Sequence, residues 1–134
     1  EKKENSYIVT PNLDHIVITS SDIDKTVEFY VNILGMELDR TNDRYAVKFG
    51  NQKFNLHRGK AEFLPAAGNV TFGSADLCLI AEGSIEDIYN ELVEKNVPIE
   101  LGVVPRTGAN GPIDSIYLRD PDENLVEISV YREL

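Results

Sequence analysis

The sequence predicts an α+β fold built from two βαβββ modules, on three observations. Short runs rich in Val, Ile, Tyr and Phe outnumber the stretches of helical periodicity, of which there are two. Strand, helix, strand, strand, strand is the order in each half of the chain. Between the halves, residues 59–74 are enriched in Gly, Pro, Ala and Asn and read as a connector. With 134 residues the chain has room for a single domain, 1–134, in which two small halves share a core. The modules fall at about 13–58 and 75–131.

Residues 1–10 read as a polar lead-in. A strand is expected over 13–19, with Ile16 and Ile18 on one side and His15 and Val17 on the other. Ser21 is expected to cap a helix with Asp24 at its third position, and Val27, Tyr30, Val31, Ile33 and Leu34 recur at helical spacing. Gly35 supplies its stop. Strands follow at 36–40, 44–49 and 53–58, with Gly50-Asn51 as a hairpin turn. In the second half a strand at 75–81 precedes a helix capped by Ser84, with Asp87 at the matching position. Ile85, Ile88, Leu92 and Val93 form its apolar face. Strands at 99–103, 115–118 and 125–131 complete the repeat, and 106–112 reads as a loop with two glycines.

Composition excludes several functions. The formal net charge is −10, with 23 acidic against 13 basic residues, which repels phosphate backbones and argues against nucleic-acid binding. No apolar run approaches the roughly 20 residues of a membrane helix, and no secretory signal pattern is visible. The single Cys78 cannot make an internal disulfide; it reads as a buried small apolar strand residue and fits a reducing cytoplasm. No Ser-His-Asp set, phosphate-binding Gly loop or dinucleotide fingerprint is present.

The chemistry gathers around the run 119–131. A tight Asp120-Pro121-Asp122-Glu123-Asn124 turn leads into a strand whose apolar residues surround one carboxylate, Glu127. Strand interiors are depleted in Glu, and a buried ionised Glu needs a compensating charge. His15 and His57, the two histidines of the chain, also lie in short β-like runs. Converged, the three would make a two-His-one-carboxylate metal site. Laying one half on the other puts His15 opposite Asp76 and, with one residue of slack in the turn, His57 opposite Glu127.

The stretches LDHIVITSSDIDKTVEFYVNILGMEL, FNLH and YLRDPDENLVEISVY make the chain resemble the vicinal oxygen chelate superfamily, over roughly 13–131. That superfamily includes glyoxalase I, fosfomycin-resistance enzymes, bleomycin-binding proteins and extradiol dioxygenases, and the chain looks closest to its small glyoxalase-domain subgroup. The resemblance implies eight strands in an incompletely closed mixed sheet around a cavity holding a divalent metal: Zn, Ni, Mn, Co or Fe(II). It implies His15, His57, Glu127 and Asp76 as ligands, with Glu127 doubling as the base. His57 and Asp76 depart from the glyoxalase I pattern, which has Glu and His there. The implied function is a metal-dependent lyase or isomerase for a small oxygen-chelating metabolite. Alternatives are an extradiol-type dioxygenase, a fosfomycin-type thiol transferase, or a ligand-sequestering protein without catalysis. A homodimer is expected, since it covers sheet edges and the open cavity.

Four side chains are expected to meet the substrate. Arg106, in its loop, is suited to gripping a carboxylate or phosphonate bidentately. Asn55 shares a polar strand face with His57 and Lys53 while Phe54 and Leu56 take the other. Tyr117 is a candidate cavity wall, as is Tyr131, and Arg119 stands just before the Asp-Pro turn, where a structural ion pair is the rival role.

Overall fold

In the computed structural model, which describes residues 7–133, each half of the chain folds as a strand, a helix and three further strands. The first module comprises β1 (His15–Ser20), α1 (Ile23–Val27) with a π-helical continuation (Glu28–Ile33), β2 (Glu37–Thr41), β3 (Arg44–Phe49) and β4 (Gln52–Arg58). The second comprises β5 (Asp76–Ile80), α2 (Ile85–Glu94), β6 (Leu101–Gly108), β7 (Gly111–Arg119) and β8 (Leu125–Tyr131). Residues 1–6 of the polar lead-in lie outside the described residues.

The strands divide into two four-stranded mixed sheets, ordered β1-β4-β3-β2 and β5-β8-β7-β6, with no closed barrel. The first and last strand of each module pair in parallel and the hairpins pair antiparallel. The helix after β1 and β5 is what makes a parallel return feasible, because two-residue turns join only antiparallel neighbours. Such turns close β2–β3 at Asn42-Asp43, both at positive φ, and β3–β4 at Gly50-Asn51, with Gly50 at φ 52°.

Alternation assigns each sheet an apolar and an open face. Ile18, Val47, Phe54 and Leu56 of the first sheet, and Ile116, Leu118, Val126 and Ile128 of the second, enter one shared core with Phe29, Tyr30, Ile85 and Leu92 of the helices. Both sheets therefore face the helices, and their other faces turn outward. The modules are tied across this core. Tyr30 Oη donates to Asp120 Oδ2 at 2.8 Å, and Lys95 Nζ donates to the Ile33 carbonyl at 3.0 Å. No helix among the described residues is long and apolar enough to cross a membrane.

Several local expectations are corrected. Asp22, not Ser21, caps α1: its side chain accepts from the Lys25 N–H, while Ser21 N donates to Asp122 Oδ2 at 3.0 Å. Val93 is exposed although its helical phase marked it as inward. The loop expected at 106–112 is mostly strand, since β6 runs to Gly108 and β7 begins at Gly111 around a two-residue turn. β6 is an edge strand, where Pro105 costs no ladder hydrogen bond on its solvent side, and Pro112 is the second residue of β7.

Candidate functional site

Pairing register fixes which polar groups share each open face, because every second side chain of a strand points the same way. Across β2, β3, β4 and β1 run three rows. The first is Glu37, Lys48, Lys53 and His15, and the second Asp39, Ala46, Asn55 and Val17. The third, continuing the same register, is Thr41, Arg44, His57 and Thr19. Their counterparts on the second sheet are Arg119, Leu125 and Asp76; then Leu101, Tyr117, Glu127 and Cys78; then Val104, Ser115, Ser129 and Ile80.

Row for row, His15 matches Asp76, but Glu127 is matched by Asn55 and His57 by Ser129. No slack enters either parallel pairing, so the expected correspondence of His57 with Glu127 is displaced by two residues. His15 pairs with Lys53, four residues before His57 on β4, which is about 13 Å of strand. Two imidazoles on one ion each sit about 2 Å from it, so His15 and His57 do not share a metal position. The two belong to one face but to different rows of it.

His15 is half-exposed, and its Nδ1 lies 2.7 Å from Asp14 Oδ2. That bond holds the Asp14 carboxyl below its usual range and leaves Nε2 as the ring atom available outward. Glu127 is held just as specifically. Ser115 Oγ donates to its Oε2 at 2.6 Å, Ser129 Oγ lies 3.2 Å from the same oxygen, and the two hydroxyls are 2.6 Å apart. Both serines are 0% exposed, so the carboxylate stands on a buried polar floor. Cys78, expected to be buried, is instead exposed because it lies on the open face of β5. Its Sγ extends this chain, 3.3 Å from Ser129 Oγ, and partial desolvation pushes its thiol up, the Ser129 hydrogen bond opposing this and the Glu127 charge adding to it. The serines escaped sequence reading, although their even spacing from Tyr117 and Glu127 was the available signal.

An imidazole fixed through its second nitrogen by a carboxylate, and a carboxylate fixed by hydroxyls, are the outer contacts that orient metal ligands. The donor chemistry of His15, Glu127 and Asp76 thus suits a divalent ion. Within one chain, however, no three His, Cys, Asp or Glu side chains among the described residues come close enough to share one. The outward facing of the two sheets is the reason.

Of the expected substrate contacts, Arg106 reaches Tyr117, its Nε donating to the phenol oxygen at 2.9 Å and its guanidinium lying 5.4 Å from the ring centre. Tyr117 in turn is the register partner of Glu127, so Arg106, Tyr117 and Glu127 line one patch. Tyr131 Oη accepts the Asn110 N–H at 3.0 Å and closes the hairpin end. Arg119 is committed elsewhere. Its Nε and Nη2 donate to the two carboxylate oxygens of Glu100 at 2.9 and 3.1 Å, which holds Glu100 below the usual carboxylate range.

The connector adds walls to the first sheet. A cavity of about 450 Å³ lies beneath it, lined by Val17, Thr19, His57, Pro65, Ala66 and Val70 among others. A second, of about 240 Å³, is lined by Asp39, Arg44, Asn55, His57 and Phe63. His57 borders both, its ring edge-on to Phe63 with centroids 5.3 Å apart.

The family model of the glyoxalase/bleomycin resistance protein/dioxygenase superfamily matches residues 12–128. The chain belongs to that superfamily. It is 46% identical over 129 residues to virulence protein STM3117 of Salmonella typhimurium, covering 96% of this chain and 90% of that protein. The crystal structure of that protein superposes with a TM-score of 0.90, covering 93% of this chain and all of the other. The chain is also 44% identical to the glyoxalase domain-containing protein RDO1 of Mycosarcoma maydis, over 99% of this chain and 76% of that protein. Lactoylglutathione lyase of Agrobacterium tumefaciens, at 21% identity and a TM-score of 0.71 over 90% of this chain and 94% of that one, shares the fold.

Proposed function

We propose that this superfamily member is a metal-dependent, glyoxalase-like lyase or isomerase acting on a small metabolite with two adjacent oxygens. His15, Glu127 and Asp76 are the side chains that would hold the ion, with the Asn55 amide oxygen at the fourth equivalent position. The observation that carries the reading is orientation: Asp14 fixes His15, and Ser115 with Ser129 fixes Glu127. A bound divalent ion supplies Lewis-acid polarisation of the substrate oxygens. Glu127 is the base that receives the substrate proton, through Oε1, since both serine contacts fall on Oε2. Arg106 and Tyr117 orient the substrate beside it.

Because the open faces of one chain turn away from its own core, the reading pairs two chains. The first sheet of one protomer faces the second sheet of its partner, with the small-molecule substrate between them. The test is metal content after loading, with oligomeric state, for wild type, His15→Ala, Glu127→Ala and His57→Ala. About one equivalent per chain is expected, lost in the first two variants and kept in the third. A folded wild type that takes up no metal would leave a ligand-sequestering protein instead.

One observation favours a second reading. His57, standing off the ligand row yet on the same face, is free to act as the acid–base group that an extradiol-type dioxygenase requires. Selective uptake of Fe(II), with His57→Ala retaining the iron but losing ring-opening turnover, would decide for it.

A further inference from the structure

We propose that Arg44 anchors an oxyanion of the substrate, a carboxylate or a phosphonate, so that the substrate is an acid. The inference rests on the preceding reading in one respect, that the open face of the first sheet belongs to the substrate cavity.

The chain has six arginines. Arg40, Arg58, Arg119 and Arg132 each have a carboxylate within 4 Å: Asp43, Asp43 and Glu62, Glu100, and Asp114 respectively. In a chain with 23 acidic residues that is the expected fate of a guanidinium. Arg44 and Arg106 are the exceptions among the described residues, and both lie on open faces. Arg106 still has acceptors, lending Nε to Tyr117 and Nη1 to the Pro105 carbonyl.

Arg44 differs from all of them. Its guanidinium carbon lies over the Phe63 ring, 4.0 Å from the centroid, and none of its side-chain donors has an acceptor among the described residues. The carboxylates nearby in sequence are engaged: Asp43 with Arg58 and Arg40, and Asp39 with the Thr41 hydroxyl at 2.6 Å. A stacked guanidinium is positioned without consuming its hydrogen-bonding edge, and five N–H donors in a planar fork match a carboxylate or phosphonate. Arg44 lines the cavity of about 240 Å³ together with His57, Asn55, Lys53 and the Thr41-bonded Asp39.

Spacing then sets the substrate's length. The row of Arg44 and His57 lies one row beyond that of Asn55, two residues or about 7 Å along the strands. An oxyanion held there is several bonds from oxygens chelated near His15 and Glu127. The neighbouring cavity, which His57 also borders, has Val17, Pro65, Ala66, Ala67 and Val70 beside the polar Thr19, Asn69 and Thr71 among its walls, and suits a largely apolar body. An aryl or alkyl acid with vicinal oxygens at its far end has the matching chemistry.

The test uses phenylacetate, phenylphosphonate and the neutral benzyl alcohol as probes. Binding to the full chain is measured by titration calorimetry for wild type, Arg44→Gln, Arg44→Lys and Arg132→Gln, each checked for folding by circular dichroism. The acids should bind wild type and Arg132→Gln alike, and the alcohol should bind at least about tenfold more weakly. Arg44→Gln should weaken the acids by at least about tenfold without touching the alcohol, and Arg44→Lys should recover part of the loss, having charge without the fork. Preference between the two acids identifies the head group. Equal binding of acid and alcohol by wild type, or unchanged acid binding by Arg44→Gln, overturns the proposal. Metal content of the same samples separates the two readings. Arg44-dependent acid binding without metal uptake keeps the anchor and sinks the metal site, and metal uptake without acid binding does the reverse.

Discussion

Tyr30→Phe removes a single oxygen from the interior and leaves the ring in place. Tyr30 is 0% exposed, packed edge-on against Phe29 and Phe54 at centroid distances of 5.0 and 5.6 Å, so the substitution opens no cavity to speak of. What it deletes is the 2.8 Å hydrogen bond to Asp120 Oδ2. Burial, reinforced by the Asp120 charge, pushes the phenol far above its usual range, so it is a donor at every working pH. Asp120 keeps three donors, the backbone N–H of Asp122 and of Asn124 on Oδ1 and Asn124 Nδ2 on Oδ2. The loss is therefore one hydrogen bond to a charged, buried acceptor, about 1.5–3 kcal/mol. For a chain of this size that is a fall in Tm of roughly 5–10 °C. Urea unfolding followed by circular dichroism should show a lower midpoint with an unchanged slope. A loss below about 0.5 kcal/mol, the level of an exposed polar substitution, would refute the latch between the first helix and the Asp-Pro turn.

Three further outcomes are expected. Burial pushes the Glu62 carboxyl up, yet the Arg58 backbone N–H and guanidinium outweigh it and hold the group below its ordinary 4.5. Its folded-state value being depressed, the pairing stabilises the start of the connector above pH 4.5 and is lost as pH falls through the lower folded value. Hydrogen exchange at 59–74 should accelerate in that window, and Glu62→Gln should abolish the pH dependence. Gly73→Ala should destabilise by about 2–3 kcal/mol in the same urea assay, because Gly73 has φ +73° and a Cβ would lie 2.3 Å from the Asp122 carbonyl oxygen. Asn55→Glu, which places a carboxylate at the row position matching Glu127, should slow metal loss to a competing chelator by about tenfold or more; unchanged retention would count against Asn55 as a site residue.

The architecture was legible because its signals are local. Ile16 and Ile18 against His15 and Val17, or Phe54 and Leu56 against Asn55 and His57, separate the two faces within a few residues. Row position is not local. Asn55 and His57 differ by one full period of the strand, so no alternation distinguishes them; only the pairing of β4 with β1, some forty residues away, does. Separations of 19 residues likewise hid the Arg119–Glu100 pair and the stacking of Arg44 on Phe63, which joins a strand to a connector with no periodicity of its own. Arg106 was misplaced for another reason: Pro105, Gly108, Gly111 and Pro112 are breakers in a central strand but are accommodated at an edge and at a strand start.

With both apolar faces buried in one core, the two open faces of a chain do not meet each other; under the proposed pairing each face is half of a cavity, and the defects of two crippled chains are distributable. In an equal mixture of His15→Ala and Glu127→Ala chains, half the pairs are mixed. In each mixed pair one cavity collects both lesions and the other collects none, so roughly a quarter of the wild-type sites return from two inactive parents. Two dead alleles of this protein in one cell would then complement.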